Sequence, residues 1–508
     1  MQSCQEKTVS GGLPPAGCAL GEIARACGAA LFPPEAGEVR ATGVAYDSRA
    51  VASGDLFCAL AGAKADGAAF VRDALARGAV AVLHGGEPLG FPGAAELLAE
   101  NPRRAMGFAA SAVFGDPSRA MALVGVTGTN GKSSTCSVFR DLARACGRPC
   151  ALFGTIRHLV GGGERPAART MPESPDTQRW LRDALAAGEK TAVMEVSSQG
   201  IAAERHAGLS FAAGVFTHLT RDHLDFHGDM ESYYRAKRRF FEEALLPGKP
   251  LVAGSDGWSG RLARECGAGR EVFRFAVEGE GTHVARAVVP GPDGTRFFLT
   301  MPGFAGEVSI PFAGRHNVEN VLAALAAGTA VGLGAEAMAA ALPRLSPVPG
   351  RLERVADEAG GRRVFVDYAH TPDALTRVLA ALRAVAGGKK IVCLVGCGGD
   401  RDRGKRPEMG RAACEGADQA VFTSDNPRSE DPEAILRDIL AGVPAGAKPL
   451  VVADRARAIR EAIALAGRGD IVLLAGKGHE CEQVACGVAR PFSDAEEARK
   501  ALAEAGEA

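Results

Sequence analysis

The run Val124-Gly125-Val126-Thr127-Gly128-Thr129-Asn130-Gly131-Lys132-Ser133-Ser134 constrains this chain more than any other stretch. Apolar residues from Met121 to Val126 predict a strand, and Ser133 to Cys146 has helical spacing, so the glycines sit between a strand and a helix. Such a unit commits the chain around it to a layered α/β fold. Without Cβ atoms in the way, backbone N–H groups close round phosphate oxygens, and the helix N-terminus adds partial positive charge. Lys132 is placed to reach β/γ-phosphate oxygens and Ser133 to hold Mg²⁺, while Gly128, Thr129, Asn130, Gly131 and Ser134 complete the candidate ATP loop. The spacing departs from G-x-x-x-x-G-K-[ST], because Val126 stands five before Gly131 and Gly125 lies one further back.

With 508 residues the chain exceeds a single hydrophobic core. Breaker-rich stretches at Gly115–Ser118 and Ser346–Gly350 divide it into 1–118, 119–347 and 348–508. The first part reads as a small α/β domain, with strands at Asp55–Leu60 and Ala79–Leu83 and a helix at Phe70–Arg77. In the second, strands at Thr191–Val196 and Ala212–Phe216 follow the glycine loop, and an alanine-rich helix at Asn317–Ala330 closes it. Alternating strands and helices argue for a parallel sheet covered on both faces. Apolar runs at Val364–Asp367, Ile391–Val395, Gln419–Phe422, Pro449–Val452 and Ile471–Leu474 make the third part Rossmann-like.

Composition mainly excludes. A net charge of −1 gives no field for nucleic acid or an acidic membrane. The thirteen cysteines are scattered without a paired metal-ligand spacing, so they read as reduced thiols. The first residues lack a basic patch followed by an apolar run, and no apolar stretch nears the roughly 20 residues a membrane span needs. A cytoplasmic protein without membrane insertion is expected.

A second group of ligating residues follows the loop. Glu195 ends a predicted strand, where a carboxylate is placed to hold Mg²⁺ or its water. The segment Thr217-His218-Leu219-Thr220-Arg221-Asp222-His223-Leu224-Asp225-Phe226-His227 carries two histidines four apart. It lacks the Glu and third ligand of a zinc hydrolase, so a Mg²⁺ site using one His fits better beside an ATP loop. The run Tyr234-Arg235-Ala236-Lys237-Arg238-Arg239-Phe240 reads, by itself, as a solvated helix face. In the third part, strand-end loops at Gly396–Pro407, Thr423–Arg428 and Gly476–Glu480 would converge on one crevice. Their mixed charges suit a zwitterion, with Arg for carboxylates and Asp or Glu for an ammonium.

The loop pattern G-x-T-G-T-N-G-K-[ST] resembles the Mur ligase family and its folylpolyglutamate synthetase relatives, and the resemblance extends over nearly the whole chain. It implies a three-domain α/β ligase: an N-terminal UDP-binding domain, a central P-loop ATPase domain and a C-terminal Rossmann-like amino-acid-binding domain. By this resemblance Lys132, Glu195, His223 and Lys237 are catalytic. Ser133, Glu195, His223 and a carbamylated Lys237 hold Mg²⁺, and Asn317, Arg351 and Asp367 clamp ATP. The family usually has Asn at the position of His218. Tyr46, Ser48, Ala63, Lys64, Ala65, Thr170, Met171, Ser197 and Arg205 map to UDP-sugar-peptide contacts. Met171 breaks a double Thr there, and Ala203 replaces a polar contact.

The Asp425-Asn426-Pro427-Arg428 loop resembles the branch that joins meso-diaminopimelate to UDP-N-acetylmuramoyl-L-alanyl-D-glutamate. It implies amino-acid contacts at Arg401, Asp425, Asn426, Pro427, Arg428, Gly476 and Glu480. Arg428 would face the second carboxylate of diaminopimelate, which lysine lacks. The implied reaction runs through an acyl phosphate, in a monomer acting on small-molecule substrates. The alternatives are a lysine-adding or folylpolyglutamate-type ligase and, from another class, a P-loop switch or motor ATPase that hydrolyses ATP without an amino acid.

Overall fold

The structure is a computed structural model and describes residues 17–62, 66–91, 93–291, 294–355 and 361–506. Ala63, Lys64 and Ala65 lie outside the described residues. Contacts divide the chain into two compact units: residues up to Gly125 with Arg148–Ala213 and Arg239–Lys249, and Val126–Gly147 with Gly214–Arg238 and everything from Pro250 on.

The first unit opens with a five-stranded sheet in the order Ala30–Phe32, Ala95–Leu98, Ala81–His84, Asp55–Cys58, Gly43–Ala45. All neighbours are parallel except the Ala30–Phe32 edge. Leu56, Cys58, Ala81 and Leu83 pack on one face and Phe57 and Val82 on the other. Period-two side chains buried on both faces explain why these strands read as unbroken apolar runs. The helix Pro102–Phe114 starts where Asn101 accepts a bond from Arg104 N at 3.1 Å, and ends at left-handed Gly115. At its middle, a Cβ on Gly107 would collide with the Ala207 carbonyl, so only glycine admits this approach.

Later in the same unit, Thr191–Glu195 lies parallel to Cys150–Phe153, which continues antiparallel into Arg157–Val160 and Gly163–Pro166. These antiparallel strands extend the expected parallel pattern.

In the second unit, parallel strands Ala213–Phe216, Leu251–Ala253, Val272–Val277 and His283–Gly291 lead into an antiparallel meander, Gly294–Met301 and Phe304–Ile310. Helices Lys132–Ala145 and Arg315–Ala330 pack on one another. The C-terminal sheet has the order Glu353–Val355, Arg363–Asp367, Ile471–Ala475, Ile391–Val395, Gln419–Phe422, Leu450–Val451. Only Glu353–Val355 is antiparallel. Its last strand in sequence inserts between the first two parallel ones, so the loops after Asp367, Val395, Phe422 and Ala475 leave the same edge. That is where a doubly wound sheet binds its ligands. Among the described residues no helix is long and apolar enough to cross a membrane, and the cysteines are free thiols, Cys58, Cys136, Cys150 and Cys393 among the buried ones.

Candidate active site

The strand Ala122–Thr127 runs straight into the glycine loop, and helix Lys132–Ala145 leaves it. Gly128 and Gly131 have φ of 147° and 85°, which only glycine adopts at low cost. A Cβ on Gly128 would strike the Thr217 hydroxyl, and one on Gly131 the Asn320 amide. The loop is stitched to the 217–220 segment: Thr217 Oγ1 donates to Asn130 O at 2.8 Å, and Thr129 N to His218 O at 2.9 Å. Lys132 Nζ donates to the carbonyls of Gly128 at 3.0 Å and Thr129 at 2.8 Å. The amino group thus lies along the loop, at the start of the helix.

Lys237 comes to the same loop from helix Met230–Glu243. The expectation of a solvated basic face fails here, because Tyr233, Tyr234, Lys237, Phe240 and Phe241 share the buried face and Lys237 is only 1% exposed. Arg235, by contrast, is exposed beside Glu231. Lys237 Nζ donates to Gly128 O at 2.8 Å and lies 4.6 Å from the centre of the Tyr233 ring. Burial, reinforced by the Lys132 charge and opposed by Asp222, holds its amine well below the usual 10.5.

His223 adopts left-handed φ of 55° and sits 3.3 Å from the Asp222 carboxylate. Burial pushes its imidazole down to about 3, against the pull of Asp222, so it is neutral and able to ligate. Asp222 is buried, faced by Lys405 at 3.4 Å and His370 at 3.6 Å. Burial would raise its pKa, but these neighbours hold it well below the carboxylate range. Next to it, Arg221 pairs with Glu408 at 2.9 Å and Asp402 at 3.4 Å.

Arg351 Nη2 donates to Ser133 Oγ at 3.1 Å while its guanidinium lies over Tyr368 at 4.6 Å. Asp367 is buried and accepts bonds from Leu352 N and Ala369 N, both at 2.7 Å. A cleft lined by Asn130, Ser134, His218, Asn317, Arg351 and Asp367 runs alongside the loop. In it, His218 Nε2 stands 3.8 Å from Asp373 Oδ2, and neither atom has a hydrogen-bond partner among the described residues. Burial first, then Arg377, pushes His218 down to about 4.

At the C-terminal sheet edge, the three strand-end loops meet. Asn426 Nδ2 donates to Glu480 Oε2 at 2.8 Å. Arg428 adopts left-handed φ of 52° and donates to Gly399 O at 2.7 Å, which brings it beside the loop carrying Arg401. Arg401 is exposed and donates to the Asp400 carbonyl. Gly476 has φ of 111°, and a Cβ there would lie 2.9 Å from the Asp425 carboxylate. Pro427 is buried between these residues in the chain.

The remaining expected contacts belong to the first unit. Glu195 is buried and accepts bonds from Thr155 N at 2.8 Å and Thr155 Oγ1 at 3.0 Å. Thr170 bonds the same Thr155 hydroxyl at 3.0 Å. Tyr46 donates to Asp176 at 2.6 Å, and Ser48 is buried in the turn that follows Asp47. Ser197 caps helix Ser198–Ala202 by accepting from Gly200 N, and Met171 is buried against Gly200. Arg205 is held by Glu173 at 3.0 Å, together with Arg103 and Arg169.

Three segments match family descriptions: residues 40–97 "Mur ligase family, catalytic domain", 126–328 "Mur ligase middle domain" and 350–478 "Mur ligase, glutamate ligase domain". A UDP-N-acetylmuramoyl-L-alanyl-D-glutamate–2,6-diaminopimelate ligase of Solibacter usitatus is 45% identical, over 92% of this chain and 95% of that one. The chain belongs to the Mur ligase family. A ligase of the same description from Synechococcus elongatus is 42% identical over 91% of this chain and 94% of its own. A solved structure so described is 32% identical, covers 96% of this chain and 99% of that one, and has a TM-score of 0.67. The three-domain α/β architecture of Mur ligases is thus that of this chain.

Sequence reasoning missed several residues that the fold brings against these candidates. Asp222 and Lys405 are 183 positions apart, and nothing local signals their pairing. Lys477, fully buried between Asn426 and Glu480, stands inside a motif read only for its glycine and glutamate. Tyr233 was legible as the residue four before Lys237 on the same helical face.

Proposed function

We propose that this chain joins meso-2,6-diaminopimelate to the D-glutamate of UDP-N-acetylmuramoyl-L-alanyl-D-glutamate, at the expense of ATP. The observation that carries the reading is the Asp425–Arg428 loop. Both signs of charge meet there at one strand edge, in a chain whose relatives bear the diaminopimelate name over nine-tenths of its length.

A γ-carboxylate oxygen of the D-glutamate attacks the γ-phosphorus of ATP, and the bond to ADP breaks. The diaminopimelate amine then attacks the acyl carbon. The tetrahedral intermediate collapses by breaking the carbon–oxygen bond to phosphate, leaving the amide. Lys132 and the loop N–H groups stabilise charge on the phosphoryl oxygens. Arg351 and Asp367 bind the nucleotide. Asp425 and Glu480 attract an ammonium, and Arg401 and Arg428 a carboxylate.

The neutral imidazole of His223, the Ser133 hydroxyl and the backing carboxylate of Asp222 suit a hard cation. Mg²⁺ held there would neutralise phosphate oxygens. The enclosed amine of Lys237, whose burial favours the neutral form, would add to CO₂, forming an N–C bond and releasing a proton. The resulting carbamate presents oxygen in place of an ammonium. In the N-terminal part, Tyr46, Ser48, Thr170, Ser197 and Arg205 are the proposed contacts to the UDP-sugar-peptide, within a division at 118 and 347.

Phosphate release from ATP and the UDP-linked dipeptide, measured across a panel of amino acids, tests the reading. Release should depend on diaminopimelate. Release without any amino acid, or equal release with lysine, would sink the specificity.

A further inference from the structure

Arg455 and Lys477 are buried cations beneath the amino-acid loops, and the proposed reaction uses neither. Arg455 makes a two-point pair with the buried Asp494 at 2.7 and 2.6 Å. Its remaining N–H groups reach the carbonyls of Ser424 at 3.2 Å and Ala475 at 3.0 Å, tying together the two strand ends from which the loops depart. This cation is neutralised and bonded to backbone, so it holds the scaffold.

Lys477 differs. It is fully buried, and among the described residues each partner of its ammonium is a side chain of the proposed amino-acid pocket. Its Nζ donates to Asn426 Oδ1 at 3.1 Å and to Glu480 Oε2 at 3.0 Å, and lies 3.8 Å from Asp425 Oδ1. Lysine has only donors. Val484 N also donates to Asn426 Oδ1, at 2.9 Å. Two donors facing one end of the Asn426 amide fix which end is oxygen, and its Nδ2 is thereby turned to Glu480 at 2.8 Å. Glu480 Oε2 then receives two donors, and Oε1 has no hydrogen-bond partner among the described residues. Without the lysine, the Asp425 and Glu480 carboxylates would repel across a neutral amide. The Glu480 side chain, 27% exposed, has room to swing to solvent.

We propose that Lys477 is a positioning residue of the amino-acid site, setting the Asn426 amide and the Glu480 carboxylate in the arrangement that receives the amino-acid substrate. The proposal rests on the ligase reading above. It predicts a selective defect: Lys477 acts on the amino acid through Asn426 and Glu480, and does not reach the nucleotide loop.

The test is steady-state kinetics on full-length Lys477→Met, Glu480→Gln and the double variant, with thermal melting of each. Lys477→Met should raise the KM for the amino acid by about tenfold or more. The KM for ATP and for the UDP-linked dipeptide should stay within about twofold, and kcat should change less than the amino-acid KM. The double variant should be less impaired than the product of the two single effects, because the lysine works in part through that carboxylate. It removes the Glu480 charge together with the cation, so that Asp425, 3.8 Å from Lys477, is the carboxylate left without it, and it can be assayed if Lys477→Met does not fold. Multiplying effects in the double variant, an equal rise in all three KM values with a lowered melting temperature, or a fall in kcat alone would overturn the proposal. The assay uses whichever amino acid the unaltered enzyme accepts. Wild-type enzyme that ignores diaminopimelate therefore refutes the ligase specificity, while a normal KM in Lys477→Met refutes this role.

Discussion

Replacing Lys237 with alanine removes one amine from the loop and should remove most of the activity. The side chain is 1% exposed, its Nζ bonds the Gly128 carbonyl at 2.8 Å, and the Lys132 charge stands near. An ammonium there would repel both Lys132 and any cation held by His223. Two like charges about 4 Å apart at an effective dielectric near 20 cost roughly 4 kcal/mol. Burial and the Lys132 charge thus favour the neutral amine, the form that adds CO₂, and a carbamate would reverse the sign of the charge at that point. Loss of one preorganised group of this kind costs roughly 10²- to 10³-fold in kcat, or about 3–4 kcal/mol. The assay is phosphate release at saturating substrates, in buffer with and without CO₂, with acetate or propionate added to the alanine variant. Wild type should slow when CO₂ is removed, and short carboxylates should partly restore the variant. Full activity in Lys237→Ala, or no rescue by any carboxylate, would refute the reasoning. The sign of the linked pH effect follows from the same burial. The folded pKa lies below 10.5, so the unfolded chain binds more protons in that interval, and in CO₂-free buffer wild-type stability should gain on the alanine variant as pH rises toward 10.5.

Arg428→Ala should lower kcat/KM for diaminopimelate by roughly 10- to 100-fold and change that for lysine far less, narrowing the ratio between them; an unchanged ratio would place discrimination elsewhere. Glu243 is held at about 2, because hydrogen bonds from Arg239, Arg104 and His206 outweigh its burial. Its contribution to stability is present above 4.5 and lost as pH falls from there toward 2, so Glu243→Gln should show a shallower acid decline in melting temperature, and parallel curves would count against it. Gly107→Ala would drive a Cβ into the Ala207 carbonyl and within 2.8 Å of its carbon, costing roughly 1–3 kcal/mol in thermal melts and leaving amino-acid KM alone. An unaltered melting temperature would mean that this helix can shift.

How far the sequence carries the structure depends on how local each signal is. The strand, glycine loop and helix at 122–145 lie within a residue or so of expectation, because loop chemistry and helix start are encoded side by side. The five parallel strands of the six-stranded C-terminal sheet were legible as apolar runs, and all but the edge strand Leu450–Val451 are buried on both faces. The meander from His283 to Ile310 was not. Its strands are half-buried, with Phe297, Leu299 and Met301 inward and Arg296, Phe298 and Thr300 outward, so they form no continuous apolar run. Taken by itself, the run around Lys237 reads as solvated because its basic neighbours dominate it, although the family resemblance assigned Lys237 to the site. The aromatic stripe of Tyr233, Tyr234, Phe240 and Phe241 at helical spacing was the better guide. The pairings Asp222–Lys405 and Arg221–Glu408 join segments far apart in sequence, and only the fold brings them together.

The most direct measurement is a competition. Enzyme, ATP, Mg²⁺ and the UDP-linked dipeptide are incubated with equal concentrations of meso-diaminopimelate and lysine, and the nucleotide product is identified by mass. Nearly all product should carry diaminopimelate, with one phosphate released per amide formed. A lysine-bearing product in comparable amount, or phosphate released with no new nucleotide product, would contradict it.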